Sequence, residues 1–437
     1  MKTSHRMTGA ALAVLAMAAL ASCGSGPGSD SGPAADGSAT LKFLVDNSLG
    51  TTGTAKALTD AFMQANPKIK IETETRPGGS EGDNIVKTRL STGDMSDVFW
   101  YNSGSLLQAL NPAQTMVDLT GDPVLANVQK DFLPVVSQEG KAYGVPAGTL
   151  TGGGILYNRK VYERLKLQVP KTWAEFTANN DKIKAAGITP VITTFKDTWT
   201  SQLFVLGDYF NVRAAVPAFA QEYTANKAKF ATTPAARAGF DHLAEVHAKG
   251  YLNEGFGSAT NDQGIKMLAE GKGAHYAMLS SSLPPVIATL PQAATDIGFF
   301  GIPGTDAAKN GATVWEPAGV YIAKTTENLE AAKKFLAFVA SPAAADAVTK
   351  AVPPTGPYRI QGAKLPADAI QAAKDLQAYV DSGATAPALE FVSPVKGPSL
   401  EQITVAVGSG LTPAAEGAAQ YDKDVDKQAK QLGLAGW

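Results

Sequence analysis

The chain has 437 residues, 44% of them apolar and 18% charged, a globular composition that argues against disorder and against an integral membrane protein. Its 38 basic and 40 acidic residues leave a net charge of −2, so no basic footprint for nucleic acid is present. One cysteine excludes an intrachain disulfide framework or a Cys-based zinc cluster, and the length fits about two to three domains.

Lys2 and Arg6 precede an apolar run from Ala10 to Leu20. With small residues before a cut site, this predicts a secretory signal over residues 1–22. The run is too short to span a bilayer, which takes about 20 apolar residues. Leu20-Ala21-Ser22-Cys23 resembles the lipobox of bacterial lipoproteins. That resemblance implies a diacylglyceryl group on the Cys23 thiol and cleavage that leaves Cys23 as the N-terminus. The chain is then exported and tied to a membrane by its first residue. Loss of Lys2 and Arg6 leaves 36 basic against 40 acidic residues, a net −4. Residues 24–39 hold only Gly, Ser, Pro, Ala and Asp. They predict a flexible tether reaching roughly 20–25 Å as a random coil.

The folded part is expected to open with a strand at Leu41–Val45. Thr51 or Thr52 can cap the helix that follows, where Leu58, Ala61, Phe62 and Ala65 recur at helical spacing up to Pro67. Ile69, Ile71 and Thr73 alternate as a strand does. A helix over Asp83–Leu90 then leads to a third strand, Val98-Phe99-Trp100. Strand–helix–strand–helix–strand predicts a parallel α/β sheet. Gly152-Gly153-Gly154 precedes the strand Ile155-Leu156-Tyr157 and reads as flexibility at a crossing between lobes. Thr172 and Glu175 form a capping box, Phe176 and Ile183 continue that helix's apolar face, and Gly187 suits its end. Ile188–Thr193 reads as a strand, and residues 199–272 as mostly helical. A second crossing is expected at Gly271–Gly273, before the strand Ala274–Leu279, and a third at Val314–Ile322, which contains Gly319. Helices are expected over 329–339, 342–349, 367–380 and 413–432. Ser341-Pro342 and Thr412-Pro413 place hydroxyl caps before Pro at the first helical position.

A series of short motifs now matches a family. Asp97-Val98-Phe99-Trp100-Tyr101-Asn102, Tyr143-Gly144-Val145-Pro146, Leu156-Tyr157-Asn158-Arg159, Pro170-Lys171-Thr172-Trp173-Ala174-Glu175-Phe176, Gly187-Ile188-Thr189-Pro190-Val191 and Ala277-Met278-Leu279 stand in the order and spacing found there. Over about residues 40–437 the chain resembles family 1 extracellular solute-binding proteins of bacterial ABC importers. Members most often bind oligosaccharides. The resemblance implies a two-lobed α/β fold of the periplasmic-binding-protein type II, with several hinge crossings and a helical C-terminal region. Lobe 1 is expected over 40–148 and 274–316, and lobe 2 over 149–273 and 317–437. It further implies a lipid-anchored monomer on the extracytoplasmic face of the cell membrane. That receptor closes on a carbohydrate and delivers it to the transmembrane subunits of a permease, with no enzymatic activity, cofactor or metal. One departure stands out: Ser280-Ser281-Ser282 replaces the Gly-Ser-Trp-like triplet usual after the return crossing.

A sugar presents apolar C–H faces and hydroxyl edges, so its site needs aromatic platforms with neutral and acidic hydrogen-bond partners. Ligands in open α/β sheets sit beyond the carboxyl ends of the strands. The candidates are Asn47 and Ser48 after strand one; Glu81 and Asp83 after strand two; Trp100, Tyr101 and Asn102 ending strand three; Asp197 and Trp199 in the second lobe; Ser280 and Ser281; Trp315 and Glu316 at the third crossing; and Tyr358 in a Pro- and Gly-rich loop. Trp173 is assigned to the core.

Two rival readings stand beside this one. A non-sugar solute would need several carboxylates for a polyamine, or cations or a helix N-terminus for a polyol phosphate. A lipoprotein hydrolase is raised by Gly78-Gly79-Ser80-Glu81-Gly82, which matches G-x-S-x-G, but Pro77 and the glycines predict a longer loop than that motif needs. Beyond the signal, the histidines are His242, His247 and His275. They are read as solvated surface residues, with His242 and His247 off the i, i+4 spacing of a zinc motif.

Overall fold

The computed structural model describes residues 37–437. The expected signal, the lipidated Cys23 and the tether up to residue 36 lie outside the described residues. The tether was expected to run to residue 39, but Ala39 already pairs with Ile69 in the first strand.

The strands are β1 (Ala39–Asp46), β2 (Ile69–Arg76), β3 (Val98–Tyr101), β4 (Ser137–Gln138), β5 (Lys141–Ala142), β6 (Gly144–Ala147), β7 (Thr151–Asn158), β8 (Thr189–Ile192), β9 (Gly273–Leu279), β10 (Ile297–Phe300), β11 (Ala312–Trp315), β12 (Ala318–Ile322) and β13 (Thr385–Pro387). They build two main sheets. The first has the order β2-β1-β3-β12-β6, and β4 with β5 is a separate small hairpin. β1 runs parallel to β2 and β3, as the strand–helix alternation requires, while β12 lies antiparallel between β3 and β6. The second sheet has the order β13-β11-β7-β9-β8, with β10 also on β7.

Local chemistry accounts for many boundaries. The helix Leu49–Ala65 is capped by Ser48, whose hydroxyl accepts from the Thr51 N–H, rather than by Thr51 or Thr52. The Thr172–Glu175 capping box forms at the helix Trp173–Ala185. Ser341 accepts from the Ala344 N–H ahead of Pro342, but Thr412 plays no such part, because the last long helix starts at Ala414 after Pro413. In the first lobe Phe43, Phe62, Phe99 and Phe335 are fully buried, and the Phe62 and Phe335 rings meet edge to face at 5.1 Å. Such a pair adds about 0.5–1.5 kcal/mol beyond burial. The second lobe has its own cluster around Ile155, Phe176, Phe240 and Tyr421.

The lobe boundaries differ from the expected ones. Residues 273–279, 297–300 and 312–315 pair in the second sheet, through registers such as Gly153↔Leu279 and Thr313↔Gly153. β12 instead joins the first sheet, and Phe335, Leu336 and Val348 of the helices after it pack in the first-lobe cluster. So 274–316 belongs with lobe 2, and 318–351 with lobe 1. Gly271–Gly273 is accordingly no crossing: Gly273 opens β9 inside the second sheet. The chain passes between sheets at Gly148–Leu150, at Glu316–Pro317, and again after Ala351. On that last passage Thr149 bridges Tyr358 and the Leu150 N–H donates to the Pro357 carbonyl at 2.8 Å. Gly152–Gly154 is not flexible linker either. It lies inside β7, where added Cβ atoms would fall 2.7 Å from the Phe299 ring, 2.0 Å from the Trp315 ring and 2.5 Å from the Phe300 carbonyl.

Candidate functional site

The carboxyl ends of β1, β2 and β3 form one edge of the first sheet. Asn47 and Ser48 follow β1 and are exposed. Glu81 is exposed in the first turn of the helix Gly79–Thr92, and Asp83 is half-buried two residues on. That helix begins three residues after β2, so the strand-to-helix turn at Gly78–Gly82 is shorter than expected. Among the described residues the histidines stand on other elements. His242 and His247 lie on the second-lobe helix Pro234–Ala248, and His275 lies on β9.

The aromatic end of β3 does not form a platform. Trp100 is 8% exposed and Tyr101 fully buried, both within the first-lobe cluster. All four residues of β3 are buried because the strand is central and covered on both faces. The Arg76 guanidinium stands 5.5 Å from the Tyr101 ring centre. Burial first, then the neighbouring Asp83 carboxylate, raises the Tyr101 phenol well above its ordinary value. Asn102, the next residue, is exposed.

On the second lobe, Asp197 accepts from the Asn261 N–H at 2.6 Å, and Trp199 is 36% exposed on the 3-10 turn Thr198–Gln202. Ser280 is buried. Its hydroxyl accepts from the Gly152 N–H at 3.0 Å and donates to the Thr355 carbonyl at 2.9 Å, tying β7 to the third passage rather than facing a ligand. Ser281 is exposed. Trp315 is half-buried over Gly153, and its indole N–H donates to Glu390.

Two further candidates are buried on the passages between the sheets. Glu316 is 8% exposed and forms a two-pronged ion pair with Arg359, Nε to Oε2 at 2.8 Å and Nη2 to Oε1, while Arg359 also reaches Asp131 of the first lobe. Burial raises the Glu316 carboxyl above its ordinary value, and the Arg359 guanidinium opposes that rise. Tyr358 is 5% exposed; its phenol bonds the Thr349 hydroxyl at 2.7 Å and donates to the Ala345 carbonyl at 3.2 Å.

The loop after β13 carries residues that the sequence reading passed over. Glu390 is held by Trp315 on one side and by Lys396, 3.4 Å away, on the other. Glu390–Pro394 faces Gly104, Ser105, Gln108 and Pro134 of the first lobe across an open pocket of about 230 Å³. Phe391 packs against the first-lobe cluster, where Gly104, at φ +72, leaves room: a Cβ there would fall 2.6 Å from the ring. The signal available was weak, a loop between Pro387 and Pro398 holding an acid, an aromatic and a lysine.

The histidines differ from expectation. His275 is fully buried, with Nδ1 2.8 Å from Asn180 Oδ1 and Nε2 2.6 Å from the Tyr162 hydroxyl. A neutral ring protonated on Nδ1 satisfies both partners. His242 is 9% exposed and stacks on Trp173, centroids 3.6 Å apart. Burial lowers both rings to about 3. Among the described residues, no group of three or more His, Cys, Asp or Glu could hold a metal ion.

The sequence profile described as "Bacterial extracellular solute-binding protein" matches residues 48–346. The Multiple sugar-binding protein of Streptococcus mutans serotype c (strain ATCC 700610 / UA159) is 30% identical over 148 residues, 34% of this chain and 34% of that protein. The match thus spans about a third of that relative's length. The solved structure titled "SBP RafE in complex with raffinose" superposes with a TM-score of 0.75 at 22% identity, covering 90% of this chain and 100% of that one. A chitin oligosaccharide binding protein gives a TM-score of 0.73 at 20% identity, over 90% and 99% of the two chains. At such identities these likenesses establish a shared α/β, two-lobed fold. With the profile covering more than half of the sequence, the chain belongs to the family of bacterial extracellular solute-binding proteins.

Proposed function

We propose that this protein is a lipid-anchored extracytoplasmic receptor that binds a carbohydrate, an oligosaccharide, between its two lobes and delivers it to an ABC permease. The observation that carries the reading is the pocket lined by both lobes, beside a half-buried tryptophan paired with a carboxylate. An indole face with fixed hydrogen-bond acceptors matches sugar chemistry better than a polyamine or phosphate. The names of the relatives, a multiple sugar-binding protein, a raffinose complex and a chitin oligosaccharide binder, point the same way. The proposed contacts are Asn47, Ser48, Glu81, Asp83, Asn102, Trp199, Ser281 and Trp315, with Glu390 added; of these Glu390 alone lines that pocket, and the others are proposed from their place at the strand ends and loops. Trp100, Tyr101, Ser280, Glu316 and Tyr358 are not among them, being buried and engaged in packing or in bonds along the passages between the sheets. Asp197 is a weaker candidate, because one carboxylate oxygen is taken by the Asn261 N–H.

Closure follows from linkage. A ligand touching both lobes favours the closed form by its differential affinity for the two states. The anchor on Cys23 is proposed with the rest; among the described residues no helix is long and apolar enough to cross a membrane. A thermal-shift screen of residues 24–437 against mono- and oligosaccharides, polyamines, polyol phosphates and peptides tests the cargo. A ligand at 100 times its Kd adds about 2.7 kcal/mol of stability. A rise with one glycan class supports the reading, and a rise with charged solutes alone overturns the sugar. Release of the protein from membranes by Cys23→Ser tests the anchor.

A further inference from the structure

Trp199 rides on a single 3-10 turn, Thr198–Gln202, whose preceding residue Asp197 makes no side-chain cap. Such turns are short and weakly held by their own hydrogen bonds. What fixes this one comes from about 200 residues later in the chain. Glu401, in the first turn of the helix Leu400–Gly408, accepts from the Thr198 hydroxyl at 2.6 Å through Oε2 and from the Gln202 amide at 3.5 Å through Oε1. The same Gln202 amide donates to the Trp199 carbonyl at 3.1 Å, so the carboxylate grips both ends of the turn that carries the indole. Ser201 adds a backbone-side link, donating to the Thr198 carbonyl at 2.7 Å and the Glu401 carbonyl at 3.2 Å, and meeting the Thr404 hydroxyl at 2.6 Å. A carboxylate in a first helical turn is itself favoured by the helix dipole. The indole above this clamp stays 36% exposed.

We propose that Glu401 is a positioning residue for ligand recognition: it locks the Thr198–Gln202 turn so that the Trp199 indole is already set for a sugar face when the ligand arrives. This rests on the sugar-receptor reading and on Trp199 as a platform. Binding to a preset side chain avoids the entropy cost of ordering it on association. Glu401 contributes affinity without touching the ligand.

The test has a part that needs no ligand. Protein labelled with 5-fluorotryptophan carries five indoles, and the resonance missing in Trp199→Phe belongs to Trp199. In the unliganded protein, Glu401→Ala and Glu401→Gln should shift and broaden that resonance while the other four stay in place. An unmoved Trp199 line overturns the proposal whatever the cargo is. With the glycan found by the screen, Trp199→Ala and Glu401→Ala should each weaken binding about tenfold, the scale of one lost charge-assisted hydrogen bond. The double variant should be no weaker than Trp199→Ala alone, since the clamp acts only through the indole. Fully additive losses, or a lowered Tm for Glu401→Ala at wild-type affinity, overturn the inference. Wild-type affinity in Trp199→Ala overturns it too, by removing the platform. Failure of the wild type to bind any glycan instead overturns the sugar reading, and is told apart because the fluorine spectrum is recorded without ligand.

Discussion

Stability should peak near pH 6.5 and fall on both sides, because three buried groups titrate in opposite senses. The acid side belongs to His242 and His275, both lowered by burial to about 3 from an ordinary 6.5. As pH falls from 6.5 toward 3, the unfolded chain takes up protons that the folded rings refuse. Stability is therefore full above 6.5 and drains away below it, at up to about 1.4 kcal/mol per pH unit for each ring. The alkaline side belongs to Asp208, which is 1% exposed, accepts one hydrogen bond from the Asn211 amide and has no partner for Oδ2. Burial raises it to about 8 from an ordinary 3.8. Here the folded state keeps a proton that the unfolded state releases, so its contribution is present at low pH and lost as pH rises toward 8. Between 3.8 and 6.5 the two rings outweigh Asp208, and these three groups together leave a loss of about 1.4 kcal/mol per unit on acidification, which Glu316, Asp375 and Asp422, also raised by burial, oppose. Above 6.5 Asp208 gives a similar slope of opposite sign. Calorimetric Tm values from pH 5 to 8.5 should trace this peak, and Asp208→Asn should flatten the alkaline limb while sparing the acid one. An unchanged alkaline limb in that variant, or a Tm that keeps climbing from 6.5 to 8, refutes the reasoning.

Three other perturbations have defined outcomes. Glu316→Gln leaves Arg359 buried with a broken pair and should cost about 3–5 kcal/mol in denaturant melts, whereas replacing both by Leu should recover most of that loss; equal losses would show that the charges themselves carry the hinge. Gly153→Ala drives a Cβ into the Trp315 ring, 2.0 Å away, so the Trp315–Glu390 hydrogen bond should break and glycan affinity fall at least tenfold with little change in far-UV circular dichroism; normal affinity would remove Trp315 from the site. Phe391→Ala removes the second-lobe ring that packs on the first lobe and should loosen the lobe contact by about 1–2 kcal/mol, seen as a larger radius of gyration in solution scattering and a five- to thirtyfold weaker Kd; identical scattering and Kd would refute a role for Phe391 in holding the lobes together.

Signals confined to a few neighbouring residues survived into the structure. The Thr172–Glu175 box and the Ser341 cap depend on contacts three residues long, and both form. The parallel β1–β2 and β1–β3 pairs follow from helices in between. Lobe membership was not legible, because β9 and β12 are sorted by partners more than 100 residues away, such as Gly153 for Leu279 and Tyr101 for Gly319. Glu316 looked like a crevice acid because Arg359, 43 residues on, could not be placed beside it. Some errors did have readable warnings. His242 stands three residues from Gly239 and four from Val246, both buried, so it shares the helix's inner face. Val98-Phe99-Trp100-Tyr101 is apolar without alternation, the mark of a strand covered on both sides.

The five tryptophans differ in how far the fold uses them up. Trp100 fills the first-lobe core, and Trp173 is 9% exposed, stacked on His242 with its N–H given to Glu245 at 2.7 Å. Trp437 donates to the Thr224 carbonyl at 2.8 Å with Lys229 4.1 Å from its ring centre, closing the C-terminus onto the second lobe. Only Trp199 and Trp315 retain a face near the sheet ends where β8 and β11 deliver their loops. Each of these two lies beside a carboxylate from the C-terminal third: Glu401 accepts from Thr198 and Gln202 on either side of Trp199, and Glu390 accepts from the Trp315 N–H. An aromatic ring gives a sugar surface contact but little direction; an acid that fixes the ring supplies the direction. If Trp199 and Trp315 are the platforms proposed above, the C-terminal region acts on the site through its carboxylates, while the aromatic faces stand at positions 199 and 315.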